Sequence, residues 1–443
     1  MKRKHSTTDF VENSSKNVKL QQTPTNCSLL VLNDYCLLRV FSYLDVMDDF
    51  ISLSRTCNRL KNLGKYFHDV YSEFKIHVNM DNKTTDYMEH IISHINDNIT
   101  EIAINYRYSK IPMNVRKMRE CCGDVKDLLV KNWKVYVIDS DNQTFDNLQT
   151  LTMKNCDFRS APYGFFDIFK GLQHANLYKF QYLSSKHVER LFRKNPTIES
   201  FVWMGDMDAF EEYELFVMIP KLTALSLRVD RELNDFDLTS TFSNLTKLQL
   251  YCNGENISEF LHKLAKSSKI CVLKELEVLH VRVDDLFFYS LYYFQHLEML
   301  AVSTWSFWLL TPPLDWPQKL KNLRLESFIL TKDGFVSTIK QLEQLENVDL
   351  GKCTGEESDA EFFFEDLDVL AQEIDNSLAD RNGKKVNFIL NLDYTADRGA
   401  DENIHLLVDT ERFRIFTEKN MYVASDQLGI SIRFAGINEN IYL

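Results

Sequence analysis

The sequence has few of the residues that interrupt regular structure and none of the short motifs that mark common enzymes. Its 443 residues include only 13 glycines and 8 prolines, which is too few for a fibrous or low-complexity protein. It contains no Gly-rich phosphate loop, no His-Glu-x-x-His, no Gly-x-Ser-x-Gly and no Cys-x-x-Cys pair. On this basis we expect no catalytic site, no cofactor and no metal centre.

Long apolar runs and an excess of basic residues are also missing. No window approaches the ~18 apolar residues that span a bilayer. The opening segment MKRKHSTTDF has no apolar stretch behind its charges, so no signal peptide is expected. The formal net charge is −13, and an acidic surface does not suit phosphate binding. We expect neither a membrane nor a nucleic acid as a partner.

The nine cysteines are an odd number and follow no repeating framework. They indicate reduced thiols in a cytoplasmic and/or nuclear protein. Residues 1–28 are rich in Lys, Ser, Thr, Asn and Gln, and we predict a disordered tail there. The basic cluster Lys2-Arg3-Lys4 in this tail is either a weak nuclear-import signal or, more simply, part of a solvated segment.

A pattern of the form apolar-x-x-apolar-x-apolar recurs along most of the chain. Its eleven copies are Ile99-Ile102-Ile104, Val125-Leu128-Val130, Leu148-Leu151-Met153, Leu172-Ala175-Leu177, Ile198-Phe201-Trp203, Leu222-Leu225-Leu227, Leu245-Leu248-Leu250, Leu276-Leu279-Val281, Leu297-Leu300-Val302, Leu320-Leu323-Leu325 and Leu345-Val348-Leu350. Most intervals between copies are 21 to 26 residues. The last two positions alternate as in a short strand, and helical stretches such as 188–192 and 286–294 lie between copies. Units this thin bury their apolar faces only by stacking on neighbours.

This period and register resemble the leucine-rich-repeat family, whose units of about 20–29 residues carry an L-x-x-L-x-L motif. The resemblance implies an α/β fold, with a curved solenoid (a horseshoe) over residues 99–392. Cys156 and Cys353 stand eight residues after an opening position, where the family places Asn or Cys to satisfy backbone groups between turns. The alternative is an ordinary helical protein with chance leucine spacing.

A different pattern lies ahead of the array, in residues 32–60. Four apolar residues share one face of a predicted helix, and these are Leu37, Leu38, Phe41 and Leu44. Asn33 or Asp34 can cap the start of that helix. About 35 residues are too few to bury a sufficient core alone, so the module leans on a partner, on the following domain, or on both. By pattern alone, it is equally a plain helical cap on the repeat domain.

The order of residues in this stretch resembles an F-box. The resemblance covers Leu32, Leu37-Leu38, Val40-Phe41, Tyr43-Leu44, Asp48-Asp49, Leu53 and Cys57-Asn58-Arg59. The family usually has Leu-Pro at the start and often Trp near the end, where this chain has Leu32-Asn33 and Leu60. The resemblance implies docking on a Skp-type adaptor, which links to a cullin scaffold and a ubiquitin-conjugating enzyme. The adaptor contacts that we assign on this basis are Leu32, Leu37, Leu38, Val40, Phe41, Leu44, Phe50, Leu53 and Cys57.

In leucine-rich repeats, the residues between and just after the core strand positions face the concave side of the solenoid. In this chain they include aromatic and Arg residues in the middle and later repeats, and such residues dominate binding hot spots. The candidate substrate-binding residues are Arg228, Tyr251, His280, Arg282, Trp305, Arg324 and Glu326. The three arginines form a predicted basic stripe, which suits an acidic or phosphorylated segment of a protein partner. The alternative is that these are ordinary solvent-facing residues.

The predicted domain order is a tail, an F-box-like helical module, a connector, the solenoid and a C-terminal cap. Their predicted bounds are 1–28, 29–68, 69–98, 99–392 and 393–443. The resemblance implies the substrate-recognition subunit of a cullin-type (SCF) E3 ubiquitin ligase, which marks an unidentified protein for ubiquitin-dependent degradation. One alternative is a leucine-rich interaction scaffold with no link to ubiquitination. Another is a hydrolase or transferase built on the solenoid, which requires a deep pocket with perturbed titratable groups.

Overall fold

The computed structural model describes most of the repeat array and shorter pieces at both ends of the chain. The described residues are 31–41, 43, 49, 52–53, 56–60, 62–63, 75–79, 101–105, 125–135, 144–205, 213–229, 243–266, 272–310, 316–351, 353–355, 367–379, 385–390 and 406–417. Leu44 and Phe50, two of the residues assigned to adaptor docking, lie outside them.

One sheet of sixteen strands organises the described residues. The strands are β1 (Lys75–Asn79), β2 (Glu101–Asn105), β3 (Asp127–Lys131), β4 (Thr150–Lys154), β5 (His174–Tyr178), β6 (Ser200–Met204), β7 (Ala224–Arg228), β8 (Lys247–Tyr251), β9 (Glu275–Val281), β10 (Met299–Leu310), β11 (Asn322–Leu330), β12 (Asn347–Gly351), β13 (Thr354–Gly355), β14 (Val386–Leu390), β15 (Leu406–Asp409) and β16 (Phe413–Thr417). Strands β1 to β12 pair in chain order, then come β14, β16 and β15, and β13 pairs with β11. Neighbours are parallel, except that β15 runs antiparallel to β16. Consecutive parallel strands need a crossover after each strand, which is the topology of a leucine-rich solenoid.

Short helices supply many of these crossovers. The helices are α1 (Asp34–Phe41), α2 (Ser185–Lys194), α3 (Ser258–Lys266), α4 (Asp285–Leu291), α5 (Lys332–Gln341) and α6 (Leu367–Ser377), with 3-10 segments at Tyr163–Ile168 and Tyr213–Met218. In α2, Val188, Leu191 and Phe192 are buried, because their spacing puts them on one face. The helix expected at 188–192 is confirmed, and α4 covers most of the one expected at 286–294. None of the helices in the described ranges has the length and apolar character to cross a membrane.

The apolar pattern sets the register of the strands. In β4, Leu151 and Met153 are buried, and they lie opposite Ala175 and Leu177 of β5. Successive side chains of a strand point to opposite faces, so the repeated apolar positions form one continuous core on one face of the sheet. We call the other sheet face the concave face, as in leucine-rich repeats. The α/β solenoid expected from the sequence is confirmed.

The register predicted for one repeat is wrong. The apolar pattern predicted that Leu276, Leu279 and Val281 occupy the core positions of this repeat. The structure instead gives this repeat the core positions Leu273, Leu276 and Val278, three residues earlier. The pairing decides this, because Leu276 lies opposite Leu248 of β8 and Leu300 of β10. Both registers satisfy the apolar template, since β9 carries additional apolar residues. The backbone of β9 is irregular at His280, where φ is +53°.

The sheet continues on both sides of the most regular repeats. Strand β1 lies in the stretch predicted as a connector, and its Ile76 pairs with Ile102 of β2. At the other end, β15 and β16 match the strand-like runs at 405–408 and 413–416, while the run at 430–434 lies outside the described residues. Among the described strands, the antiparallel β15 lies beside β16 at the end of the sheet, and the cap predicted at 393–443 stays a prediction.

Candidate functional site

Two regions hold the residues selected from the sequence, and helix α1 is the first. Asn33 caps this helix, because its Oδ1 accepts a hydrogen bond from the Cys36 backbone N–H at 2.8 Å. Arg59 ties the start of the helix to a later part of the module. Its Nη2 lies 2.5 Å from Asp34 Oδ1 and donates to the Leu32 carbonyl at 2.8 Å. These contacts fix the position of α1, although an exposed ion pair adds little stability.

The residues assigned to adaptor docking divide into an inner and an outer set. Leu37 and Phe41 are 1% and 0% exposed, and they belong to the same hydrophobic core cluster as the solenoid. Leu38, Leu53 and Cys57 are half-buried and pack against that core. An adaptor does not reach Leu37 and Phe41 while the module is folded as described. These two side chains therefore hold α1 in place.

Four exposed apolar residues lie in α1 or within a few residues of its ends. These are Val31, Leu32, Tyr35 and Tyr43, which we call the outer face of α1. Leu32 is the least exposed of them at 38%, and Tyr35 is 78% exposed. Of the assigned docking residues, Val40 is half-buried beside this face. The sequence analysis did not select Tyr35, because helical spacing places it on the side opposite Leu37.

The second region is the middle of the concave face, from β7 to β12. Strand pairing aligns one central row of side chains, which are Ser226, Gln249, Glu277, Ala301, Arg324 and Asp349. At its neutral end, Ser226 Oγ donates to Gln249 Oε1 at 2.9 Å. From Glu277 onward the row is charged, except at Ala301. The alternation of the strands thus lines up ionisable groups on the face opposite the core.

Glu277 is the least compensated group of this row. The residue is 1% exposed, and neither of its carboxylate oxygens has a hydrogen-bond partner. Burial raises the pKa of this carboxyl to about 7, although Lys247 and Arg324 act to lower it. A buried carboxylate without a donor is unfavourable. The position therefore favours a proton or a cation.

The cations near Glu277 are engaged by other carboxylates. Arg324 Nε lies 3.4 Å from Asp349 Oδ2, and Arg324 Nη2 lies 3.6 Å from Glu326 Oε2. These are ion pairs at longer range than a good hydrogen bond. Lys247 Nζ lies 3.0 Å from an oxygen of Glu275. Lys247 and Arg324 thus face four carboxylates, namely Glu275, Glu277, Glu326 and Asp349. With Arg228 at the end of β7 included, the described carboxylates from β7 to β12 still outnumber the cations, so the centre of the concave face is acidic.

Three aromatic side chains from the predicted set lie together near this row. The ring of His280 lies 5.0 Å from that of Tyr251 and 6.5 Å from that of Trp305, edge-on in both pairs. Tyr251 follows Gln249 of the central row by two residues on β8, so both point to the concave face. Trp305 is 55% exposed, and it packs so closely on Gly254 that a Cβ there would lie 3.1 Å from the indole. We call Tyr251, His280 and Trp305 the aromatic cluster.

The three arginines do not form the predicted basic stripe. Arg324 lies in the central row, whereas Arg228 ends β7 opposite Tyr251. Arg282 lies beyond β9, where its backbone N–H donates to the Glu255 carbonyl at 3.1 Å. The physical reason is the register of β9, which moves Arg282 out of the strand. Sequence reasoning missed Glu277 for the same reason, and testing the alternative register of this repeat would have found it.

The cysteines in the turns are structural, as predicted. The Sγ of Cys156 lies 3.5 Å from the Lys154 carbonyl, and that of Cys353 lies 3.3 Å from the Leu325 carbonyl. Burial raises the pKa of each of these two thiols to about 12, so both remain protonated donors. Within the described ranges, no group of three or more His, Cys, Asp or Glu residues is arranged to hold a metal ion.

Comparison with known proteins gives a family for one part of the chain. Residues 29–68 match the family model described as the F-box domain. No curated protein has a matching sequence. Among solved structures, the chain is similar to an internalin from Listeria monocytogenes strain 4b F2365, with 14% identity and a TM-score of 0.43 over 72% of this chain and 88% of that one. It is also similar to a leucine-rich-repeat protein from Leptospira interrogans, with 13% identity and a TM-score of 0.34 over 78% of this chain and 94% of that one.

Proposed function

We propose that this protein is the substrate-recognition subunit of an SCF-type E3 ubiquitin ligase in the cytoplasm or nucleus. One observation carries the proposal, which is an F-box match at residues 29–68 on the same chain as a leucine-rich parallel sheet. F-box domains generally bind Skp-type adaptors, and leucine-rich sheets offer long binding surfaces. The F-box domain and the leucine-rich sheet together suit a protein that links a ligase to its target.

The mechanism is positional. The outer face of α1 docks on the Skp-type adaptor, which is held by a cullin scaffold, and the concave face holds the target protein. Burying a large apolar side chain contributes about 1.5–3 kcal/mol, so the outer face offers a sufficient driving force for docking. A target fixed beside the ubiquitin-loaded enzyme reacts at a high effective concentration. The chain itself supplies no reacting group in this scheme.

The proposal is tested by measuring how a purified Skp-type adaptor binds full-length protein. Wild type and a Leu32→Asp/Tyr35→Ala variant are compared by isothermal calorimetry. Both substitutions lie on the exposed outer face, so the fold is retained. We expect the wild type to bind and the variant to lose at least about tenfold in affinity, because exposed aromatic and apolar residues dominate such contacts. No binding by well-folded wild type would overturn the proposal.

A matched control is available on the solenoid. Val217 and Tyr292 are exposed there at 61% and 47%, so Val217→Asp/Tyr292→Ala introduces a similar change far from α1 in sequence. This control should bind the adaptor as the wild type does. Equal weakening by both variants would refute docking through the outer face. Leu37→Ala is unsuitable for this purpose, because it removes a buried side chain and destabilises the module.

The second candidate function is an interaction scaffold that never meets a ligase. The observation that favours it is the burial of Leu37 and Phe41 in the same core cluster as the solenoid, as expected if α1 only caps the array. The same binding experiment separates the two functions. A scaffold keeps its fold and its concave-face partner but does not bind the adaptor, with or without changes in the outer face.

A further inference from the structure

The central row of the concave face contains one polar group that the fold leaves unsatisfied. Glu277 is 1% exposed, and both of its carboxylate oxygens are without a hydrogen bond. Its neighbour Gln249 is hydrogen-bonded to Ser226, and its other neighbour is Ala301, which has no polar side-chain atom. Most buried polar groups in proteins have a partner, so this exception needs a physical reason.

The cations closest in the fold do not supply that partner. Arg324 makes its ion pairs with Asp349 and Glu326, and Lys247 makes one with Glu275. Both cations favour the ionised form of Glu277 through space, but neither is hydrogen-bonded to it. Burial outweighs this effect, so the ionised carboxyl lacks both a hydrogen-bond donor and a compensating charge.

We propose that Glu277 receives a basic side chain, arginine above all, from the protein segment that the concave face binds. A guanidinium group matches a carboxylate with two parallel hydrogen bonds. It also adds positive charge where the described carboxylates outnumber the cations, so binding relieves the excess of negative charge. This partner is the opposite in charge of the acidic segment expected from the sequence.

A long side chain suits the buried position of this carboxylate. Glu277 is 1% exposed and both of its oxygens are buried, so a donor has to enter among the neighbouring side chains. Arg and Lys carry their charge on a long apolar stem that packs along neighbouring groups. The aromatic cluster offers a further contact to the same segment, because Trp305 is 55% exposed and its ring can stack on a cation. Arginine is favoured over lysine, because its planar fork matches a carboxylate with two hydrogen bonds.

This inference rests on the concave face as the recognition surface in the proposed function, and it is independent of adaptor docking. The test is a selection of short random peptides on full-length protein in the absence of adaptor. It is run in parallel on wild type, Glu277→Gln and Glu275→Gln. Glu275 is a suitable control, because it is a half-exposed carboxylate on the same strand that already pairs with Lys247.

We expect peptides selected on wild type and on Glu275→Gln to share an Arg or Lys at one position, and this preference to vanish on Glu277→Gln. In the best peptide, replacing that Arg by neutral citrulline should weaken binding to wild type about tenfold or more and leave binding to Glu277→Gln nearly unchanged. Circular dichroism verifies that the variants are folded. Selection of acidic peptides, of no peptide, or of the same basic peptides on Glu277→Gln would overturn the proposal. A failure of adaptor binding changes none of these outcomes.

Discussion

The early repeats and the central repeats share one backbone plan but differ on the concave face. In β4 and β5 the central positions are Thr152 and Asn176, which are neutral and joined by a hydrogen bond of 3.1 Å. In β9 and β11 the same positions hold Glu277 and Arg324. The core positions are apolar in both regions. The difference shows that the apolar pattern fixes the fold, whereas the alternate positions are free to carry binding chemistry.

The largest expected effect on stability tests the apolar core that the early and the central repeats share. Phe201→Ala in β6 and Leu300→Ala in β10 each remove a side chain with 0% exposure from the core. Each should lower the free energy of unfolding by about 2–5 kcal/mol, because a cavity remains behind. Guanidinium unfolding followed by circular dichroism measures this loss. Tyr292→Ala serves as the exposed control. A loss under about 1 kcal/mol in either repeat would contradict the common core.

The second expected effect tests the difference between the two regions, which is the charge at the central positions of the concave face. Burial raises the pKa of the Glu277 carboxyl to about 7. Between its ordinary value and about 7, the folded protein holds a proton that the unfolded chain has released, so stability falls as pH rises through this range. Glu277→Gln removes this penalty. The variant should exceed wild type in stability by a few kcal/mol at most, on the order of 3, at about pH 8, and the gain should vanish near pH 4.

The pH dependence of the gain is the decisive observation for Glu277. Thermal unfolding of wild type and variant across this pH range provides it. The matched variant Asn176→Asp makes the reverse change in the early repeats, where it places a carboxyl beside Thr152. Asn176 is half-exposed and the Thr152 hydroxyl can donate to a carboxylate there, so the stability of that variant relative to wild type should change little with pH. A difference between Glu277→Gln and wild type that is constant with pH would show that the carboxyl does not titrate as proposed.

Much of the repeat fold could be predicted from the sequence, because apolar spacing along a strand decides which face enters the core. The register of β9 could not, since Leu276 fits two positions of the template and only pairing with Leu248 selects one. The burial of Glu277 depends on three adjacent strands and is invisible in a linear pattern. In α1, spacing finds the apolar stripe of Leu37 and Phe41 but does not reveal whether that stripe faces the core or a partner.

The smallest expected effect on stability compares two half-exposed ion pairs, one near Glu277 and one elsewhere. Lys247–Glu275 and Lys321–Glu298 are half-exposed ion pairs of 3.0 and 2.8 Å. Lys247→Met and Lys321→Met should each change the free energy of unfolding by about 0.2–1 kcal/mol, because solvent screens such pairs. Only Lys247 also lowers the pKa of Glu277. Lys247→Met should therefore shift the titration of Glu277 to higher pH, and Lys321→Met should not.

Thermal unfolding as a function of pH measures this shift from the pH at which stability declines. Such a shift is expected because loss of a nearby positive charge makes ionisation of a buried carboxyl harder. The two lysine variants differ little in overall stability, so a difference in their pH midpoints reports the local field rather than a general loss of structure. Identical midpoints would mean that Lys247 does not act on Glu277.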